Sequence, residues 1–228
     1  MKMDFNLVGQ GLRSLSQRHL RTSLALMAFL GVGGLLSTGP MQLRTASAQT
    51  TYFTARTVLA EFFPKSQNVG YQRFELTPDQ RARLERRLGY AIKKPSYTFY
   101  VAKSGEVIDG YALIDEELGQ HLPITFAVKF SPQGVVQRQE VMIYRERYGD
   151  EIRDPRFRQQ FEGKTAADPL RASEEIIAVS GATISSRAMT VGVHRALVLL
   201  DELILSPQRP RSAQLSPSSA RSLAAPTL

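Results

Sequence analysis

Apolar and polar residues alternate along the middle of the chain in the pattern of β-strands. Short connections that contain Ser, Gly or Pro separate four such runs, which is typical of antiparallel hairpins. The four predicted strands are residues 96–102, 106–113, 123–130 and 135–144. In the third of them, the alternating apolar residues are Ile124, Phe126, Val128 and Phe130. Because successive side chains of a strand point to opposite faces, these four are predicted to share one buried face.

A helical period replaces the alternation at three places. The predicted helices are residues 55–63, 76–89 and 186–205. Thr77 is a good N-cap for the second helix, Pro78 suits its first position and Gly89 ends it. The apolar stripe of the third helix is Met189, Val193, Ala196, Leu197, Leu200 and Ile204. These elements predict an α+β fold, a twisted antiparallel sheet with helices on one face and a C-terminal helix after residues 180–183.

A long polar segment, residues 145–170, separates the last predicted strand from the C-terminal helix. Long connections inside a compact domain are often functional loops. We expect Phe157 and Phe161 to anchor this segment to the core.

The N-terminal end has the pattern of a targeting segment. Residues 22–38 are apolar and uncharged, follow a basic flank and precede Ala46-Ser47-Ala48. This layout predicts an export signal cleaved after Ala48. The run is also just long enough to be a retained membrane anchor with its N-terminus inside. Both forms stay open, and both predict a periplasmic or other extracytoplasmic location.

Composition completes the predicted organisation. The tail, rich in Ser, Pro, Ala and Arg, is predicted to be disordered. The predicted parts are a leader or anchor at 1–48, an N-terminal helical part at 49–95, the main domain at 96–205 and the tail at 206–228.

Most of the formal charge of +8 belongs to the two ends of the chain. Residues 49–205 are nearly balanced, with 21 basic and 20 acidic residues. A nucleic-acid-binding domain needs a basic face on its folded part, so no nucleic-acid partner is expected. The chain has no Cys, which excludes disulfides, thiolate metal sites and Fe–S clusters. Any redox role therefore needs a cofactor held without sulfur.

The strongest candidate for chemistry is the sequence SGAT at residues 180–183, called here the SGAT segment. No His pair has metal-ligand spacing, and no nucleophile elbow or dinucleotide-binding glycine pattern is present. A helix N-terminus presents free N–H groups and the positive end of the helix dipole, which suit a phosphate. The residues by themselves leave two interpretations open, a phosphate site and an ordinary capped helix entry.

The surrounding residues carry a wider resemblance. The stretches are GYALIDEELGQHLPITFAVKFSPQGVV (110–136), VMIYRERYGDEI (141–152), FRQQFEGKTAADPLR (157–171) and VSGATISSRAMTVGVHRAL (179–197). In content and order they resemble the FMN-binding domain of the flavoprotein subunits of the sodium-pumping NADH:quinone oxidoreductase and of the Rnf-type complexes. They resemble the exported, stand-alone versions of that domain still more.

The resemblance implies that FMN is held as a phosphoester on Thr183, attached by a separate flavin transferase with FAD as donor. The residues implied to hold FMN are Thr183, Ser180, Gly181, Ala182, Ile184, Ser185, Glu146, Gly149 and Lys164. A plain surface charge is an equal alternative for Lys164. The family usually has an Asp three residues before the serine of the SGAT segment, and this chain has Ile177 at that position. Non-covalent FMN is therefore the alternative to the ester.

The function expected from this resemblance is that of an exported flavoprotein. It would carry electrons between a membrane redox partner and an extracytoplasmic acceptor, while the flavin supplies the redox chemistry. No substrate-specific acid–base pair is visible, which favours an electron carrier over a self-sufficient oxidoreductase. Two alternatives stay open, a non-redox binding or assembly module of the same fold and a flavin-dependent reductase of a soluble substrate.

Overall fold

The computed structural model describes residues 49–208. The predicted leader at 1–48, with its apolar run at 22–38, lies outside the described residues, as does the predicted tail from residue 209 onward. The first three residues of that predicted tail, Ser206–Gln208, are helical. Within the range 49–208, no helix is both long enough and apolar enough to cross a bilayer.

The described residues form an α+β fold built on one six-stranded sheet. In chain order the elements are β1 (Thr50–Thr51), α1 (Ala55–Phe62), β2 (Asn68–Glu75), α2 (Pro78–Leu88), β3 (Ser96–Ser104), β4 (Val107–Leu118), β5 (Pro123–Phe130), β6 (Val136–Tyr144), a 3-10 turn (Asp150–Arg153), α3 (Pro155–Gln159), α4 (Thr183–Leu200), a π-helical turn (Asp201–Leu205) and α5 (Ser206–Gln208). The sheet order is β1-β6-β5-β4-β3-β2, and every neighbouring pair is antiparallel. The predicted fold class is confirmed.

The two faces of the sheet carry side chains of different size. The face against α4, called the α4 face, carries large residues that include Phe99, Leu113, Phe126 and Val128. All four apolar residues predicted for β5 are fully buried on this face. The opposite face carries Ala102, Ala112 and Ala127, which pack with Val58 and Phe62 of α1. The sequence predicted helices on one face, but α1 also covers part of the second, where alanines leave room for it.

Local sequence signals set the ends of α1 and α2. Thr54 caps α1 and Thr77 caps α2, each through a reciprocal capping box with the residue three positions later. Gly89 ends α2 in the left-handed conformation, with φ of +79°. The sequence prediction for α2 is therefore confirmed at both ends.

Residues 49–95 contribute two strands that the sequence did not predict. β2 lies at one edge of the sheet and pairs with β3, while β1 pairs with the end of β6 at the other edge. The description of this part as helical is therefore incomplete. β2 is mostly exposed and none of its residues is fully buried, so it lacks the alternation by which a half-buried strand is recognised.

Helix α4 is the main helix of the fold, and 13 of its 18 residues are buried. The predicted apolar stripe is confirmed, because each of its six residues belongs to the core against the α4 face. The helix begins at Thr183 rather than at the predicted residue 186. The reason is that the backbone N–H of Ser186 already donates to the carbonyl of Ala182, at 2.8 Å.

A buried ion pair fixes the position of α4 along β4. The Arg195 guanidinium lies 2.8 Å from the Asp115 carboxylate and also pairs with Glu117. Burial alone would lower the pKa of Arg195, but Asp115 and Glu117 raise it. Arg195 therefore stays charged, and the pair ties the middle of α4 to the sheet.

The predicted anchors of the polar segment 145–170 are confirmed. Phe157 and Phe161 are buried and pack edge to face, with ring centroids 5.4 Å apart. Between β6 and Phe157 the segment forms the 3-10 turn and the start of α3. The segment therefore has ordered structure on the same side of the sheet as α4.

We expect Gly192→Ala to destabilise the fold. A Cβ at Gly192 would lie 2.7 Å from the Phe126 ring, and overpacking of this kind typically costs about 1–3 kcal/mol. This outweighs the roughly 1 kcal/mol by which Ala favours a helix over Gly. Chemical denaturation of both proteins measures the difference. Gly70→Ala is the control because a Cβ there has open space, and a Gly192→Ala protein more stable than the parent would contradict the packing.

Candidate functional site

The SGAT segment forms a tight turn that leads directly into α4. The N–H of Ala182 donates to the carbonyl of Val179 at 3.0 Å, which closes a four-residue turn. Gly181 occupies the third position of this turn with φ of +82°, the conformation that a type II turn requires there. Ser180 and Gly181 are exposed, whereas Ala182 is buried. The turn therefore presents its first two residues to solvent while its end is packed into the core.

The first turn of α4 has no local cap. Its N-cap residue is Ala182, and no side chain accepts from the backbone there. Among the described residues, no group accepts a hydrogen bond from the N–H groups of Thr183, Ile184 or Ser185. Since α1 and α2 both have capping boxes, α4 differs from them in leaving three donors free at its positive end. That arrangement suits an anionic group such as phosphate.

The hydroxyl groups near this turn differ in availability. Thr183 is exposed, and its hydroxyl has no hydrogen bond to the described residues. Ser185 and Ser186 are buried. The Ser186 hydroxyl accepts from the N–H of Val179 at 3.0 Å and so holds the turn against the helix. The Thr183 hydroxyl is therefore accessible for reaction, while the hydroxyls of the two serines are held by hydrogen bonds within the protein.

The loop after β6 packs directly on the first turn of α4. Tyr144, the last residue of β6, has its hydroxyl oxygen 2.8 Å from the Ser185 hydroxyl and 2.5 Å from the carbonyl oxygen of Tyr148. Gly149 has φ of +99°, and a Cβ there would lie 2.6 Å from both hydroxyl oxygens. The structure therefore brings Gly149 together with Ser185, two of the residues that the family resemblance implied.

The polypeptide before the SGAT segment is held by Gln160. Its side-chain amide accepts from the N–H of Ile177 at 2.8 Å and donates to the carbonyl of Ile177 at 3.1 Å. The Ile177 side chain itself points outward and is 74% exposed. Both flanks of the SGAT segment are thus fixed by the region 144–161, at Ile177 on one side and at Ser185 on the other.

Three exposed apolar side chains belong to segments that adjoin the first turn of α4. Tyr148, Ile177 and Ile184 are at least half exposed. Tyr148 lies next to the Ser185 contact through Tyr144, Ile184 follows Thr183, and Ile177 precedes the turn. Exposed apolar side chains on these segments offer contacts to a partly apolar ligand.

The Glu146 carboxylate binds backbone N–H groups of the turn between β4 and β5. Its carboxylate accepts from the N–H groups of His121 at 2.5 Å and Leu122 at 2.8 Å. Burial alone would raise the pKa of the Glu146 carboxyl, but these donors outweigh burial and lower the pKa. Glu146 therefore connects the β4–β5 turn to the loop that carries Gly149, and no hydrogen bond links it to the SGAT segment.

Lys164 lies away from the SGAT segment. Its carbonyl accepts from the N–H of Val136 at 2.8 Å, and Val136 begins β6 whereas Tyr144 ends it. Eight residues of extended strand separate these ends by roughly 26 Å. The structure therefore does not bring the backbone of Lys164 together with the other implied residues.

The sequence did not reveal three residues that shape the site. Tyr144 ends an apolar strand and has the pattern of an ordinary core residue, and Gln160 has no motif of its own. Ser186 lies within the stretch 179–197 that carries the family resemblance, so its closeness to the SGAT segment was the one available signal. Each acts through a contact with a residue distant in sequence or with the backbone of the turn.

A comparison with known protein families matches residues 119–198 to the FMN-binding domain. The matched range contains β5, β6, the SGAT segment and nearly all of α4. It confirms the resemblance seen in the sequence. No curated protein matches the chain. Within residues 49–208, no cluster of His, Asp or Glu side chains is arranged to hold a metal ion.

We expect Gln160→Ala to loosen the entry to the SGAT segment. The N–H of Ile177 would lose its acceptor, and a hydrogen bond worth about 1 kcal/mol corresponds to about fivefold faster amide exchange. Hydrogen exchange at Ile177 measures this. Gln159→Ala is the matched control, because the exposed side chain of Gln159 has no hydrogen bond to the described residues. Equal exchange rates in the two variants would contradict the role of Gln160.

We expect the contribution of Glu146 to stability to vanish in acid. Its pKa is lower in the folded state than the ordinary value of about 4.3, so the contribution is present above that pH and is lost as pH falls through the lowered pKa. Urea unfolding between pH 3 and 7 should show the parent and Glu146→Gln converging at low pH. Glu151→Gln, at an exposed position in the same segment, is the control. Parallel curves for the parent and Glu146→Gln would rule out this linkage.

Proposed function

From the premise that residues 119–198 belong to the FMN-binding domain family, we propose that this chain is an exported flavoprotein electron carrier with FMN esterified to Thr183. The observation that carries the proposal is the uncapped first turn of α4, which pairs three free N–H groups with an accessible Thr183 hydroxyl. A flavin transferase and a membrane redox partner are part of the proposal.

The residues at this turn fit the phosphate end of FMN. The free N–H groups of Thr183, Ile184 and Ser185 donate to phosphate oxygens, and the helix dipole favours the negative charge. Gly181 has no side chain, and the space around its Cα is open, so the backbone of the turn allows close approach. The buried Ala182 keeps the turn seated on the core, while the next two residues, Thr183 and Ile184, are exposed.

The surface beside the turn fits the flavin ring. Tyr148, Ile177 and Ile184 offer exposed apolar contacts, and covering them removes apolar surface from water. Bound flavin supplies the chemistry, since it takes up and releases one or two electrons. An open surface position leaves the ring edge accessible to a redox partner, which suits a carrier better than a closed substrate pocket.

The attachment step uses the Thr183 hydroxyl. Its Oγ1 forms a bond to the flavin-side phosphorus of FAD while the pyrophosphate bond breaks and AMP leaves, and the hydroxyl proton is lost. Ser185 is a poor alternative acceptor because its hydroxyl is buried against Tyr144. The transferase would have to accept Ile177 at the position where the family usually has Asp.

Export is supported by the sequence pattern of residues 1–48. The uncharged apolar run at 22–38, its basic flank and Ala46-Ser47-Ala48 together fit a signal or anchor. Outside the cytoplasm, a covalent link keeps the cofactor at the site at high effective concentration.

We expect co-expression with a flavin transferase to add the mass of FMN minus water to the chain. Intact-mass spectrometry should show this gain in the parent and its loss in Thr183→Ala. Ser173→Ala is the control, because Ser173 is an exposed serine outside the SGAT segment, and the gain should persist there.

The remaining outcomes separate the alternatives. Flavin that copurifies but is released by acid precipitation supports tight non-covalent binding and refutes the ester. Absence of flavin under every loading condition refutes the carrier and favours a non-redox module. Steady-state NADH or quinol oxidation by the purified protein alone would favour a reductase.

A further inference from the structure

The hydroxyl of Tyr144 joins two segments that are far apart in sequence. It contacts the carbonyl oxygen of Tyr148 at 2.5 Å and the hydroxyl of Ser185 at 2.8 Å, inside a side chain that is 2% exposed. A tyrosine has one hydroxyl proton, and a carbonyl only accepts. Tyr144 therefore donates to Tyr148, and Ser185 donates to Tyr144. This assignment fixes the rotamer of the Ser185 hydroxyl and withdraws its proton from any ligand.

Ser185 is the third residue of α4 and the last of the three that have free N–H groups. Holding its side chain fixes one point of the first helical turn relative to the end of β6. The directions of the N–H groups of Thr183 and Ile184 follow, because the helical backbone connects them rigidly. The geometry of the donor set therefore depends on a contact made by the end of β6.

Gly149 closes the same contact from the other side. A Cβ there would lie 2.6 Å from the hydroxyl oxygens of both Tyr144 and Ser185. Only glycine leaves room for this approach, and its φ of +99° lies in the left-handed region. Tyr144, Ser185 and Gly149 thus form one tightly fitted unit, called here the tyrosine clamp.

We propose that Tyr144 is a positioning residue for phosphate recognition, acting through Ser185 to aim the free N–H groups at the phosphate of FMN. This inference rests on the proposed function. It places the role of Tyr144 at the phosphate end of the ligand, because Tyr144 contacts only the backbone carbonyl of Tyr148 and not the side chain proposed to cover the flavin ring. Tyr144 therefore discriminates FMN from riboflavin, which lacks the phosphate.

The test compares the affinities for the two ligands. The full chain is produced without a flavin transferase, and dissociation constants for FMN and riboflavin are measured by quenching of flavin fluorescence. Tyr144→Phe removes one oxygen atom and both contacts. We expect it to weaken FMN binding about tenfold, because binding must then order N–H groups that the clamp no longer holds, and to leave riboflavin binding within about twofold.

Tyr111→Phe is the matched control. Tyr111 belongs to the same core and is equally buried at 2% exposure. Its hydroxyl has no hydrogen bond to the described residues, and it lines a groove together with Ile204, beyond the C-terminal end of α4. We expect the ratio of the FMN and riboflavin constants in this variant to equal that of the parent.

A second pair of variants tests the clamp from the side of Gly149. Gly149→Ala introduces the clash, whereas Gly163→Ala imposes the same positive-φ strain, at φ of +81°, with open space around its Cβ. Amide exchange at Val179 and Ser186 is measured on the flavin-free proteins, since these two N–H groups hold the turn to α4. Exchange should be faster in Gly149→Ala and Tyr144→Phe than in Gly163→Ala and Tyr111→Phe.

The outcomes separate this inference from the proposed function. Equal losses for FMN and riboflavin in Tyr144→Phe, or no loss for either, would overturn the positioning role while flavin binding stands. Unchanged amide exchange in Tyr144→Phe would overturn the clamp without reference to any flavin. A parent protein that binds neither flavin would overturn the proposed function and, with it, the role of Tyr144 in phosphate recognition.

Discussion

The burial of α4 on the sheet is the constraint on which the rest of the structure depends. Its core side chains interlock with the large residues of the α4 face, and Gly192 brings the helix against the Phe126 ring. Arg195 and Asp115 then fix how far α4 can slide along β4. Because both the depth and the axial position of the helix are set by packing, the point at which its N-terminus reaches the surface is set as well.

That N-terminus differs from the other helix starts of the fold. Short surface helices such as α1 and α2 need local caps, since their few buried residues stabilise them little. α4 is stabilised by its core contacts along most of its length, so its first turn tolerates three free donors. A helix start that is held by tertiary packing, and not by its own cap, is free to use its N–H groups for a ligand.

The polar segment after β6 turns this open helix start into a shaped site. Phe157 and Phe161 anchor the segment to the core. Gln160 fixes the backbone that enters the turn, and Tyr144 fixes the first turn of the helix. Between those two points Ser180, Gly181 and Thr183 remain exposed. The rigid surroundings and the exposed centre are the features on which the proposed phosphate site rests.

The sequence by itself determined the parts of the fold that rest on local signals. Alternation identified β5, cap residues identified the ends of α2, and spacing identified the stripe of α4. The motif order identified the FMN-binding domain. These predictions succeeded because the residues that determine each element lie within or next to that element in the sequence. The implied roles of Thr183 and the SGAT segment remain predictions of the motif.

Only the tertiary structure decided the features that join distant residues. β2 is an edge strand with little burial and hence no pattern to detect. The contact of Tyr144 with Ser185 joins residues 41 positions apart, and that of Gln160 with Ile177 joins residues 17 positions apart. Nothing in the local sequence around Tyr144 or Gln160 indicates which residue it contacts. Lys164 matched the family pattern, yet its backbone joins the far end of β6. These contacts depend on how the chain folds back on itself and on the directions of the side chains. Neither can be predicted from the spacing of residues along the chain.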